Sequence, residues 1–138
     1  HYSGTDVFFN GPDPSIDVTP TDGNQVLLIM QNGGGIYRAY QDVTVPSFAT
    51  TLSWDLGYVS HATINDIDQR VAIHIRDPGT DTILETIYTT LPGDPDTLPM
   101  TSMTADISAY QGMDVRIDIE MTIYNFHCEG QFDNLRMY

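Results

Sequence analysis

The sequence contains no lysine, a single cysteine and a single tryptophan in 138 residues. All five of its basic residues are arginine (Arg38, Arg70, Arg76, Arg116 and Arg136), and 19 Asp and Glu oppose them, giving a formal net charge of −14. Binding to nucleic acid or to anionic lipid rests on clustered positive charge, so this balance argues against both partners. The lone Cys128 cannot close an internal disulfide, and the fold must be held by its core or by a metal. No apolar run approaches the ~18 residues of a membrane span, and no charged-then-apolar leader opens the chain. The chain starts at His1 without Met and is expected to be a piece of something longer.

What remains is the composition of a folding domain: 41% hydrophobic and 17% charged residues, which is too apolar for a disordered tail. The length suits one domain, residues 1–138, which would bury roughly 70% of the surface its unfolded chain exposes. Acidic, lysine-free chains also arise from salty habitats or GC-rich genomes, so only a few of the acids are assigned to a site. The excess of Asp over Glu suits loops that offer oxygen ligands to calcium better than it suits helix surfaces.

Apolar residues recur with a period of two. Leu52, Trp54 and Leu56 share one face of a strand, with Ser53 and Asp55 on the other. Val71, Ile73 and Ile75 alternate with Arg70, His74 and Arg76, whose face is expected to meet water. From Val115 to Ile123 the odd positions are apolar while Arg116, Asp118, Glu120 and Thr122 interleave, a pattern of antiparallel pairing. Further strands are predicted over 25–30, 36–45, 83–89 and 132–138. Turn formers at Asn32-Gly33-Gly34-Gly35, Asp77-Pro78-Gly79-Thr80-Asp81 and Pro92-Gly93-Asp94-Pro95-Asp96 separate them. Asp106 to Gly112 reads as one helical turn, and residues 89–104 as a long loop. The fold class is therefore all-β, an antiparallel β-sandwich, with Trp54 in its core.

Four stretches, taken in order, resemble the galactose-binding-like jelly-roll modules, a group that includes many carbohydrate-binding modules and MAM ectodomain modules. They are Pro20-Thr21-Asp22-Gly23; Val43-Thr44-Val45-Pro46 leading into Leu52-Ser53-Trp54; Asp106 to Gly112 leading into Val115-Arg116-Ile117; and Phe132-Asp133-Asn134-Leu135-Arg136-Met137. The resemblance implies a jelly roll; the family's usual opening strand is not evident before Tyr2, so one edge of the sandwich is either incomplete or supplied by residues 2–10. It also implies a structural calcium ion tying the last strand to an early loop, with Asp133, Asp22 and Asn24 as ligands. Asp66 and Asp68 are weighed for a second site against the plainer reading of solvated loop acids.

Function follows from what the side chains can hold. Aromatic rings stack on sugars, and Tyr2, Tyr37, Tyr40, Tyr58, Tyr88, Tyr124 and Phe126 are the candidate exposed aromatics. A platform of Tyr37 and Tyr40 with Arg70, His74 and Arg76 would favour acidic or sulfated sugars, because guanidinium pairs with planar anions. Asp118 and Glu120 share a strand face and could flank a glycosidic bond, although that face is solvent by default. The four histidines show no short-interval zinc spacing, and a ligand pair with Cys128 needs the fold to bring His61 near. Nothing around Cys128 marks a catalytic nucleophile, and no catalytic residue is assigned. The expectation is a non-catalytic carbohydrate-binding module of a larger secreted or surface protein, extracellular, with calcium as its cofactor and a carbohydrate or cell-surface ligand as its partner. The alternatives are an adhesive ectodomain with no sugar ligand and, third, a polysaccharide-active enzyme domain.

Overall fold

The computed structural model describes residues 2–3, 7–10, 20–31 and 34–138, the first two stretches as backbone only. Its strands are β1 (Tyr2–Ser3), β2 (Val7–Asn10), β3 (Val26–Gln31), β4 (Gly35–Thr44), β5 (Thr51–Ser60), β6 (Gln69–Arg76), β7 (Ile83–Thr89), β8 (Thr97–Asp106), β9 (Asp114–Ile123) and β10 (Cys128–Met137). They make two five-stranded sheets, the first ordered β1-β4-β9-β6-β7 and the second β2-β3-β10-β5-β8. Every pairing among them is antiparallel, as the alternating patterns require. Residues 2–3 and 7–10 each supply an edge strand, β1 against β4 and β2 against β3.

The apolar positions of the two inner faces meet between the sheets. Leu52, Trp54 and Leu56 of β5 pack in one cluster with Val71, Ile73 and Ile75 of β6 and the odd positions of β9. Trp54 is 2% exposed, and the Tyr88 ring packs on it edge-to-face at 6.3 Å between centroids. Tyr58 is 3% exposed, so neither it nor Tyr88, which packs on the core, serves as the exposed aromatic expected of it.

Three local expectations change. The predicted loop over 89–104 shrinks to 90–96, because β8 begins at Thr97. Pro99 obscures that strand in the sequence, yet β8 is an edge, where a residue without an N–H is tolerated. β10 starts at Cys128 rather than at Phe132, and Gly130 breaks its apolar pattern. A Cβ there would lie 2.5 Å from Met121 Sδ, so the absent side chain is a packing requirement. The predicted helical turn is a single 3-10 turn at Ser108–Tyr110, which Asp106 Oδ1 precedes by accepting from Ser108 N at 2.8 Å, and Gly112 follows it at φ +75°. Of the Asn32-Gly33-Gly34-Gly35 turn, Asn32 and Gly33 lie outside the described residues.

Candidate functional site

The polar faces of β6 and β9 do not meet water as expected. His74 is 3% exposed, Asp118 0% and Glu120 7%, although all three point away from the core between the sheets. Register explains the meeting. Arg38, Tyr40 and Asp42 of β4 lie opposite Glu120, Asp118 and Arg116 of β9, and these lie opposite Ala72, His74 and Arg76 of β6. Three strands thus bring their charged alternates to one surface, the outer face of the first sheet. Long arginines lying over shorter carboxylates exclude the solvent.

The geometry is that of a paired network. Arg38 Nε donates to both oxygens of Asp118 at 3.0 Å, and its two terminal nitrogens grip Asp81 at 2.8 and 2.9 Å. Arg76 donates from Nε to Asp118 at 2.6 Å and from its amino end to Glu120 at 3.0 Å, and Arg70 reaches the other Glu120 oxygen at 2.8 Å. Arg116 makes a two-pronged contact with Asp42 at 2.7 and 2.9 Å and a third bond to Asp81 at 3.0 Å. Four of the five arginines therefore face four carboxylates, and the surface is electrically balanced. The Tyr40 ring lies against two guanidiniums, Arg116 at 4.1 Å and Arg38 at 5.6 Å.

Local turn chemistry delivers Asp81. Asp77 Oδ1 accepts from Gly79 N at 2.9 Å and Thr80 N at 2.7 Å, which shapes the β6–β7 turn, and Asp81 takes φ +60°, a conformation Asp tolerates better than most residues. Its bond with Arg38, then that with Arg116, outweighs desolvation and holds the Asp81 carboxyl well below the usual range. The adjacent His74 ring and the charges of Arg70 and Arg76 hold Glu120 down to about 2, against the effect of burial. His74 Nε2 stands 3.7 Å from Glu120 Oε1, beyond hydrogen-bond distance.

Of the residues expected to hold a ligand, Tyr40, Arg70, His74 and Arg76 share this face. Tyr37 does not, because it is opposite the buried Met121 and packs on the core. Arg38, Arg116 and Asp81 were not singled out. The signal for the first two was present in the sequence, as arginines in phase with the polar side of β4 and β9.

The outer face of the second sheet carries a different cluster. Asp133 of β10 pairs directly with Asp55 of β5, so two carboxylates are opposed across the ladder. Like charges so placed repel unless something intervenes. Asp133 Oδ2 accepts from the backbone of Thr21 and Asp22 at 2.7 and 2.9 Å, which ties the early turn to the last strand. Asp55, 5% exposed, accepts from Thr21 Oγ at 2.5 Å, from Asn134 Nδ2 at 3.3 Å and from the Ser102 hydroxyl. Burial works against its charge, but these donors and Arg136 prevail and keep its carboxyl below the usual range. Asn134 has φ +53° in the bulge after Asp133, and its Oδ1 is buried with no partner among the described residues.

The structure thus brings Asp133 to the Asp22 main chain, but it turns the Asp22 carboxylate to Arg136 at 2.8 Å and leaves Asn24 exposed. The oxygens at this place, from Asp55, Asp133, Thr21 and the unpartnered Asn134, fit calcium in kind. Asp55, which sequence reasoning passed over, is the buried acid of the set. Asp66 is exposed, and Asn65 Oδ1 caps the turn there by accepting from Ile67 N and Asp68 N; neither Asp joins a metal-ligating group among the described residues. Cys128 is 2% exposed in the core, where burial pushes its thiol up to about 12.

No protein-family model and no curated protein matches the chain. Solved structures do. A family 61 carbohydrate-binding module in complex with β-1,4-galactotriose matches with TM-score 0.60 at 12% identity, over 100% of this chain and 86% of that one. A carbohydrate-binding module of the β-sandwich superfamily, described for its promiscuous specificity, matches with TM-score 0.68 at 16% identity, over 100% of this chain and 56% of that one. The K1 cleaved adhesin domain of Lys-gingipain from Porphyromonas gingivalis matches with TM-score 0.55 at 10% identity, over 91% and 79%. At such identities the likeness is one of fold. The chain has the antiparallel β-sandwich fold that these carbohydrate-binding and adhesin modules share.

Proposed function

We propose that the chain is a non-catalytic carbohydrate-binding module of a larger secreted or cell-surface protein, with its ligand lying on the outer face of the first sheet. The observation that carries this is the Tyr40 ring beside Arg116 and Arg38, within the paired network. A sugar offers an apolar ring face and a rim of hydroxyls; the tyrosine meets the first, and fixed guanidinium and carboxylate groups meet the second. Because the arginines are already matched by carboxylates, the platform suits neutral sugars. The expectation of acidic or sulfated sugars presumed unpaired arginines. The network also supports a non-catalytic reading: Glu120, held ionised by its neighbours, has no proton to give a leaving group at neutral pH.

The test is migration through native gels containing neutral galactan, neutral glucan or anionic pectate. Wild type should be retarded by a neutral polymer, and Tyr40→Ala should bind at least tenfold more weakly, a loss of about 1.4 kcal/mol. Free migration in every gel would leave the adhesive-ectodomain reading. Retardation by pectate alone would overturn the neutral-sugar assignment.

The calcium site belongs to the same proposal. Asp55, Asp133, Asn134 and Thr21 would hold the ion, joined by Asp22 and Asn24 of the adjacent turn. When bound, calcium supplies the positive charge that two opposed carboxylates lack. Chelator should lower the melting temperature of wild type by several degrees, whereas Asp133→Ala should melt low and ignore the chelator. Magnesium should rescue poorly, since it demands a smaller octahedral shell. Equal recovery with calcium, magnesium and matched sodium chloride would reduce the effect to charge screening.

A further inference from the structure

A second cluster forms at the other end of β5 and β10. Ser60 lies opposite Cys128, so the next residues outward, His61 and His127, also face each other; His61 N donates to His127 O at 2.9 Å. Glu129 is two residues along β10 from His127, on the same side of the strand. Cys128, between them, turns into the core. One ligand atom from each of His61, His127 and Glu129 lies within 4.8 Å of the other two. The two imidazoles are 5.3 Å apart between centroids, and His127 Nε2 is 3.0 Å from Glu129 Oε1.

We propose that His61, His127 and Glu129 bind a divalent transition-metal ion, zinc by the chemistry of the set, with a fourth position open to water. With metal–ligand bonds of about 2.0–2.2 Å, tetrahedral ligand atoms sit roughly 3.3–3.5 Å apart. The His127–Glu129 pair is already near that spacing, and exposed His61 needs only a side-chain rotation to join it. Two imidazoles with one carboxylate select zinc, copper or nickel over calcium, which separates this site from the oxygen cluster at Asp55 and Asp133. No guanidinium competes: the five arginines pair elsewhere, and among the described residues Glu129 is hydrogen-bonded to His127. The bound ion would fix the β5 end to the segment leading into β10, where Tyr124 is 54% and Phe126 64% exposed.

The experiment is calorimetric titration of zinc into the EDTA-stripped 138-residue chain with calcium chloride present throughout. One equivalent should bind saturably, and cobalt(II) in its place should give the intense visible bands of a tetrahedral ion. His61→Ala and Glu129→Gln should each weaken zinc at least tenfold, while Asp133→Ala leaves it unchanged. Circular dichroism in EDTA confirms that each variant folds. Absence of saturable binding tighter than ~100 µM, or equal zinc affinity in wild type and His61→Ala, would overturn the site and leave a plain His–Glu hydrogen bond.

Discussion

Asp118→Ala should destabilise the protein by about 3–5 kcal/mol, the cost of removing one partner from a buried ion pair. Asp118 is 0% exposed and accepts from Arg38 and Arg76 together, so its loss leaves two largely buried guanidiniums each short of a partner. Replacing both arginines together with the aspartate by apolar residues should not recover this loss, because Arg76 also pairs with Glu120 and Arg38 with Asp81, and those carboxylates would lose a partner. Denaturant midpoints for the single and triple variants make the comparison. A loss below about 1 kcal/mol for Asp118→Ala would show that water reaches the network.

The same network predicts an acid limit. The Glu120 carboxyl lies at about 2 in the folded chain against an ordinary value of 4.5, so the folded state holds fewer protons than the unfolded state between those values. Its contribution is complete above roughly pH 5 and is lost as pH falls towards 2. Glu120→Gln should be less stable at pH 7 and show a shallower loss of stability over that window.

Trp54→Ala should cost about 3–5 kcal/mol as well, through a cavity rather than through charge. Trp54 is buried against the Tyr88 ring, and its Nε1 has no partner among the described residues. Trp54→Phe therefore forfeits no hydrogen bond and should lose clearly less than Trp54→Ala. Thermal melts of the pair test this; equal losses would point to a polar role for the indole nitrogen.

The strands that were legible are those whose two faces differ in chemistry. β5, β6 and β9 could be read because Leu52–Trp54–Leu56, Val71–Ile73–Ile75 and the odd positions of 115–123 face one core. Alternation cannot tell what covers the other face. Arg76 and Asp118 are each polar and solvent-facing by default, and they become buried only because the register sets them beside each other and beside Arg38, which is 80 residues from Asp118 in sequence. The Asp55–Asp133 pair and the His61–His127 pair have the same origin, a cross-strand register that no short spacing encodes. Two breaks in the pattern have other reasons. Pro99 lies in β8, an edge strand that tolerates a residue without an N–H, and Gly130 lies in the central β10, where a side chain would meet Met121.

Amide chemical shifts of the isotope-labelled chain, recorded as a neutral β-linked galacto-oligosaccharide is added, test the central claim most directly. The account predicts saturable shifts at Arg38, Tyr40, Asp81 and Arg116 and in the flanking residues of β4 and β9, with none propagating to Asp55 or Asp133 on the opposite sheet. No saturable shift with galacto- or gluco-oligosaccharides, or shifts confined to the outer face of the second sheet, would contradict it.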